Sequence, residues 1–430
     1  MLLRFSVENF RSFKSRQDFH LTAVKTCKEW LADNTGEDAG VRAVRTAVLY
    51  GANASGKSNL FLAMVRMKSF MLASVDIDKK ANFLLCEPFL FDAEAVNKPE
   101  TFELEFTIGD RHFTYGFSLL PRGTDPADYE IVEEWLLETE KRSPHPLFLR
   151  QRRINADGKT ENVISVNADR MPDGRGLETR TRADVLFFTV AAQFAEPICQ
   201  MISEYLRKSF NIFSGTEHAK LNDYSRVRFL ADPNMALRIK KLIADADTGV
   251  KDIAIGDNGA MVSSHSMYNA SGRDIGQVNV AFDLIESQGT QKLFNLSGAL
   301  IDTLRNGSIL AIDEFDEAFH PLLVRRLVEL FNDSGTNPRN AQLVFSSQCP
   351  DLLGYRVVAV SGTRRLARLR RDQFYFVEKD NVGASKLLSL VEFKGQDGTR
   401  TRNDASFEKE YLAGSYGGIP FPASLFEGGA

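Results

Sequence analysis

The chain has 430 residues, 43% of them hydrophobic and 26% charged, with a formal net charge of −4. That length holds a large core in roughly two or three domains or one elaborated domain, and the slight acidity excludes a polycation that coats nucleic acid over its whole surface. The cysteines Cys27, Cys86, Cys199 and Cys349 are widely spaced, which points to reduced thiols of a cytoplasmic protein and away from a disulfide framework or zinc knuckle. Charge interrupts the first residues, so they do not read as a signal peptide, and no apolar run is long enough for a bilayer, so no membrane contact is expected.

In chain order, residues 3–8 alternate apolar and polar and predict a half-buried strand. Residues 9–13 form a turn, and 19–23 a second strand pairing back on the first. Residues 32–40 read as a loop. The apolar run 46–50 then leads into Gly51, Ala52, Asn53, Ala54, Ser55, Gly56, Lys57, Ser58 and Asn59, with the spacing G-x-x-x-x-G-K-S between a strand and a helix. The glycines let backbone N–H groups point inward at a phosphate, and the helix adds its positive end. Lys57 supplies a charge for the β- and γ-phosphates, and the Ser58 hydroxyl is a ligand for Mg2+.

Further on, residues 101–108, 112–119, 131–138 and 146–150 alternate and predict an antiparallel meander. Residues 151–183 read as loops around short strands. From 184 to 247 the period becomes helical, through Ile198, Ile202, Tyr205 and Leu206 and through Met235, Leu237, Ile239, Leu242 and Ile243. Residues 250–255 and 278–282 read as strands flanking a variable loop. The last third alternates helix and strand: a helix over 289–304, an apolar strand over 308–312 ending in Asp313 and Glu314, a helix over 322–331, and a buried strand over 342–347. That alternation predicts a parallel sheet with helices on both faces. Asp313 at a strand's carboxyl end suits Mg2+, and Glu314 suits activation of water. Ser287 and Gly289 open the preceding helix, either as a cap or as a segment touching the γ-phosphate held by a second subunit.

Residues 9–13 (NFRSF), 51–59 (GANASGKSN), 286–294 (ESQGTQKLF), 309–316 (ILAIDEFD) with 318–321 (AFHP), and 370–380 (RRDQFYFVEKD) together resemble the ABC/SMC-like AAA ATPases. More narrowly they are similar to the bacterial group of abortive-infection and overcoming-lysogenization-defect (OLD) type anti-phage systems. The resemblance implies an α/β P-loop ABC-type head with an antiparallel meander and a helical insertion. It divides the chain into an N-terminal ATPase lobe (1–183), a helical, variable insertion (184–275) and a C-terminal lobe (276–430). It also implies ATP and Mg2+ as cofactors, dimerisation or higher homo-oligomerisation around ATP, and pairing with a separate nuclease or toxin effector. Two departures stand out. Gln348 occupies the position where the family carries a γ-phosphate histidine, so hydrolysis is expected to be slow. No glutamine lies between Gln17 and Gln151 to serve as a magnesium-sensing loop.

Arg11 reads as a nucleotide-side or interface arginine, or as a solvated turn residue. His320 reads as a helix cap or a residue of the dimer seam. Arg364, Arg365, Arg368, Arg370 and Arg371 read as a solvated face, or as a patch for phosphate or an acidic partner. A DNA-clamping ATPase of the SMC repair type is therefore the alternative to a switch.

Overall fold

The computed structural model describes residues 1–76, 78, 80, 84–154, 160–215, 218–246, 248–256, 259–354, 369–393 and 407–417. The chain opens with β1 (Leu2–Glu8) and β2 (Gln17–His20), paired antiparallel with Phe5 opposite Phe19. A short helix α1 (Leu31–Asn34) and the hairpin of β3 (Thr35–Asp38) and β4 (Val41–Val44) lead into β5 (Thr46–Tyr50), every residue of which is buried. Helix α2 (Lys57–Ala73) follows. The alternating segments then form β6 (Glu100–Ile108), β7 (Arg111–Pro121), β8 (Tyr129–Glu140), β9 (Ser143–Ile154) and β10 (Thr160–Val166). They complete a seven-stranded antiparallel sheet in the order β10-β9-β8-β7-β6-β1-β2.

Helices α3 (Phe187–Gln193) and α4 (Pro197–Ser209) precede β11 (Phe210–Phe213). Then come α5 (His218–Ala231), α6 (Pro233–Asp245) and a small sheet of β12 (Asp252–Ile255), β13 (Met261–Tyr268) and β14 (Asp274–Ala281). The chain continues through α7 (Phe282–Ile285), α8 (Gln288–Asn306), β15 (Ile309–Ile312), α9 (Pro321–Asn332) and β16 (Gln342–Ser346). It closes with β17 (Phe374–Lys379), β18 (Ser385–Ser389) and α10 (Phe407–Leu412). The central sheet runs β11-β15-β16-β5-β17-β18, parallel except for β18.

Period two divides each central strand between two cores. Ala47 and Leu49 of β5, with Ala311 and Val344, face α2, α3, α4 and the antiparallel sheet. Val48 and Tyr50, with Leu310, Ile312, Leu343 and Phe345, face α5, α6, α8 and α9. Helix α2 is thus roofed on one side and floored on the other, with Phe70 packed on Phe117 and Tyr129 at 5.4 Å. Truncating Phe70 to Ala would cost about 3–5 kcal/mol. The layers fix the start of α2, and with it the phosphate loop, against the sheet.

The mixed α/β class and the meander match the sequence expectation, with four local differences. Residues 32–40, expected as a loop, hold most of α1 and all of β3, which pairs with β4. The helical stretch 184–247 contains a strand, β11, whose residues pair in parallel with β15. The variable loop between 255 and 278 contains β13, which pairs with both β12 and β14. The arginine run is not a uniform solvated face. Arg370 is wholly buried and bonds Asp372 at 2.6 Å, and Arg371 pairs with Glu29 at 3.2 Å. Arg364, Arg365 and Arg368 lie outside the described residues. No helix among the described residues is long and apolar enough to cross a membrane.

Candidate functional site

Five parallel strands end at one edge of the central sheet, so the loops after β11, β15, β16, β5 and β17 meet there. The loop after β5 is the glycine-bounded one. Ala54 adopts φ 62° and Gly56 φ 113°, and these left-handed turns curl the backbone into a nest. Ser55 N–H donates to the Ala52 carbonyl at 3.1 Å. Among the described residues no protein acceptor takes the N–H groups of Asn53, Ala54 or Gly56. A Cβ on Gly56 would stand 2.3 Å from Ser385 Oγ and 2.7 Å from Ser12 Oγ, so only glycine fits this approach.

The loop is gripped from both flanks. Ser385 Oγ donates to the Ser55 carbonyl at 2.6 Å, and Ser385 N–H donates to the Ser12 carbonyl at 2.6 Å. Asn59 Nδ2 donates to Ser12 Oγ at 2.7 Å. Lys57 is buried, and its Nζ donates to the carbonyls of Gly51 and Ala52 at 2.6 and 3.0 Å. Burial lowers the Lys57 pKa, and the charges of Asp313, Glu314 and Asp316 oppose that shift. Ser58 is exposed in the first turn of α2.

Asp313 ends β15 and is buried. Its Oδ1 accepts from Ser346 Oγ at 2.5 Å and its Oδ2 from Ser214 Oγ at 3.4 Å. It has no ion-pair partner among the described residues, which leaves a buried carboxylate suited to a cation. Glu314 is exposed and held at φ 53°, a conformation costing a non-glycine residue about 1 kcal/mol or more. Two contacts hold it: its N–H donates to Ser346 Oγ at 2.7 Å, and its carbonyl accepts from Lys292 Nζ at 2.7 Å. Gln348 is exposed on the loop after β16, between the acids and the phosphate loop. Asp316 Oδ2 accepts from Ser347 Oγ at 2.7 Å, Gln348 N at 3.1 Å and Cys349 N at 2.9 Å. Lys57, Ser58, Asp313, Glu314 and Gln348 are thus gathered at one edge.

Ser287 and Gly289 border the acidic loop after β15. Ser287 caps α8, its Oγ accepting from Thr290 N at 3.2 Å. A Cβ on Gly289 would come within 2.8 Å of the Ala318 carbonyl, so the glycine permits close packing on the loop after Glu314. Among the described residues no hydrogen bond joins either residue to the chain's own phosphate loop. Between α8 and that acidic loop lies an open cavity of about 460 Å3 lined by Gln288, Lys292, Glu314 and Phe315 among others. Arg11, at φ 48°, pairs with Glu87 at 2.9 Å. His320 Nδ1 accepts from Leu322 N at 3.2 Å and so caps α9. Sequence reasoning passed over Lys292, Asp316, Ser346 and Ser385. Asp316 alone left a signal, standing two residues after Glu314.

The sequence that builds this site matches a family. The profile described as "AAA domain, putative AbiEii toxin, Type IV TA system" covers residues 47–170 and 212–353. The chain belongs to this family. The AAA assignment places it in a family of ATPases. No curated protein matches the sequence. Among solved structures, the SMC head domain from Thermotoga maritima is 12% identical with a TM-score of 0.37, covering 90% of this chain and 98% of its own. An Smc head domain with an extended coiled coil, bound to the C-terminal domain of ScpA derived from Pyrococcus furiosus, is 10% identical at the same score, covering 90% and 96%.

The site fits Mg2+ and a nucleoside triphosphate. Among the described residues no cluster of three or more His, Cys, Asp or Glu could hold a metal alone. Mg2+ ordinarily needs only one or two protein oxygens beside phosphate and water, which Ser58 and Asp313 would supply.

Proposed function

We propose that the chain of this AAA-domain protein is an ATP-binding and hydrolysing switch that closes as a dimer on nucleotide. The observation that carries this is the phosphate nest at residues 51–58, with Lys57 Nζ held by the Gly51 and Ala52 carbonyls and the acids after β15 at the same sheet edge. The loop amides, Lys57 and the α2 terminus would hold the phosphates. Ser58 and Asp313 would hold Mg2+, which supplies charge neutralisation when bound. Glu314 takes the proton of the attacking water. Gln348 donates a hydrogen bond but no charge, which favours slow turnover. Ser287 and Gly289, which make no hydrogen bond to their own phosphate loop among the described residues, suit contact with nucleotide on a partner copy. Arg11 borders the same site.

The family description names a "putative AbiEii toxin, Type IV TA system"; the role in anti-phage defence through a separate effector is part of this proposal and rests on the sequence motifs. The DNA-clamp reading loses part of its basis, because Arg370 and Arg371 are neutralised internally. Calorimetry with ATP and Mg2+ tests the central point. Wild type should bind and Lys57→Ala should not; equal binding by both rejects the site. Glu314→Gln should remain dimeric with ATP by light scattering, and a monomer there rejects the shared-site arrangement.

A further inference from the structure

The phosphate reading leaves the other end of the nucleotide unassigned. Asp313 and Glu314 follow β15, on one side of β5 with β16 between. A triphosphate whose terminal phosphate meets those acids directs its nucleoside the opposite way, towards β17 and β18. Two loops come together there. The β17–β18 turn carries Val382 and Gly383, and Ser385 just beyond holds the phosphate loop through the Ser55 carbonyl at 2.6 Å. The segment before β6 carries Leu90 and Phe91. The Phe91 ring lies 3.0 Å from where a Gly383 Cβ would stand, so the loops are in contact.

Leu90, Phe91 and Val382 are 70%, 75% and 59% exposed, against a chain whose other phenylalanines are mostly interior. Phe91 is held upright by buried Phe89, edge-on at 5.6 Å. Lys14, paired with Asp92 at 2.5 Å, stands beside it. A cluster of large exposed apolar groups marks a contact surface, and a flat ring next to a phosphate cradle matches the face of a nucleobase.

We propose that Leu90, Phe91 and Val382 form the base-side wall of the nucleotide site, with the Phe91 ring as the platform on which a purine stacks. This rests on the phosphate-loop reading above. The wall recognises an aromatic base through its face, so it fits purine nucleoside triphosphates as a class.

Calorimetry on the full chain, with Mg2+ and either ATP or inorganic tripolyphosphate, tests it. Phe91→Ala should weaken ATP about tenfold while leaving tripolyphosphate unchanged, and Phe91→Trp should retain ATP affinity. Unchanged ATP affinity in Phe91→Ala overturns the wall and leaves the phosphate loop standing. An equal loss for both ligands also overturns it, because that reports a disturbed cradle. A wild-type chain that binds neither ligand overturns the phosphate-loop reading itself.

Discussion

The phosphate loop and the segment around Ser287 are built in opposite ways. The loop follows a fully buried central strand and is clasped by Ser12, Asn59 and Ser385 from elements far apart in the chain. The Ser287 segment hangs from the periphery. Glu286 accepts from Ser263 and His265 of β13, whose neighbour β14 is exposed almost residue by residue. Leu284 and Ile285 beside it are 84% and 65% exposed. A cradle for phosphate gains from being preorganised. On the proposed dimer, a segment that meets another copy would gain from a support that a partner can reach. Regulation should therefore enter through the β12–β14 side and leave the cradle's shape alone.

The sharpest way to break the contrast is at the rigid half. Gly56→Ala places a Cβ at φ 113° against Ser385 and Ser12. It should abolish ATP binding by calorimetry and destabilise the fold by about 1–3 kcal/mol in thermal unfolding. A variant that binds ATP normally would show that the cradle is adaptable. The hung half is tested at Lys292, which joins α8 to the Glu314 carbonyl. Lys292→Met should lower hydrolysis about tenfold, the worth of one charged hydrogen bond, with ATP affinity unchanged. Lys292→Arg should restore part of the rate. Loss of affinity instead would place Lys292 in binding.

A third test concerns the packing beneath α2. Glu100 is wholly buried near Arg66, Cys86 and Glu87, and burial pushes its carboxyl up from 4.5 to about 8. The folded chain thus keeps a proton that the unfolded chain releases above about pH 4.5. The stabilisation is full below that pH and is lost as pH rises through about 8. Glu100→Gln cannot ionise, so its melting temperature relative to wild type should rise between pH 5 and pH 8. A constant difference across that range would remove Glu100 as a titrating group.

Local chemistry made much of this architecture legible. Glycine spacing gave away the phosphate loop, alternation revealed β6 to β9, and the apolar run ending in two acids revealed β15. What stayed hidden depended on distant partners. Phe210, Asn211, Ile212 and Phe213 follow a helical pattern without a break and become a strand only because β15 lies alongside. Met261 to Tyr268 mixes serine and histidine among apolar residues without alternation, so nothing local marked β13. Arg370 resembles a surface charge until Asp372 and the carbonyls of Val24 and Glu29 enclose it. At the site, the acids and lysine were visible, but the clasp by Ser12 and Ser385 joins residues more than 300 positions apart in the case of Ser55 and Ser385. Glu314's left-handed backbone likewise comes from Ser346 and Lys292 and has no counterpart in the letters around it.

Asp316 holds the turn after β16 by the main chain of residues 348 and 349 and by the Ser347 hydroxyl, never by the side chain at 348. The turn is therefore a socket whose shape is independent of what is plugged into it. A histidine substituted there would be delivered to the same spot as the glutamine, and the tempo of the engine could be retuned by one exchange without rebuilding its frame.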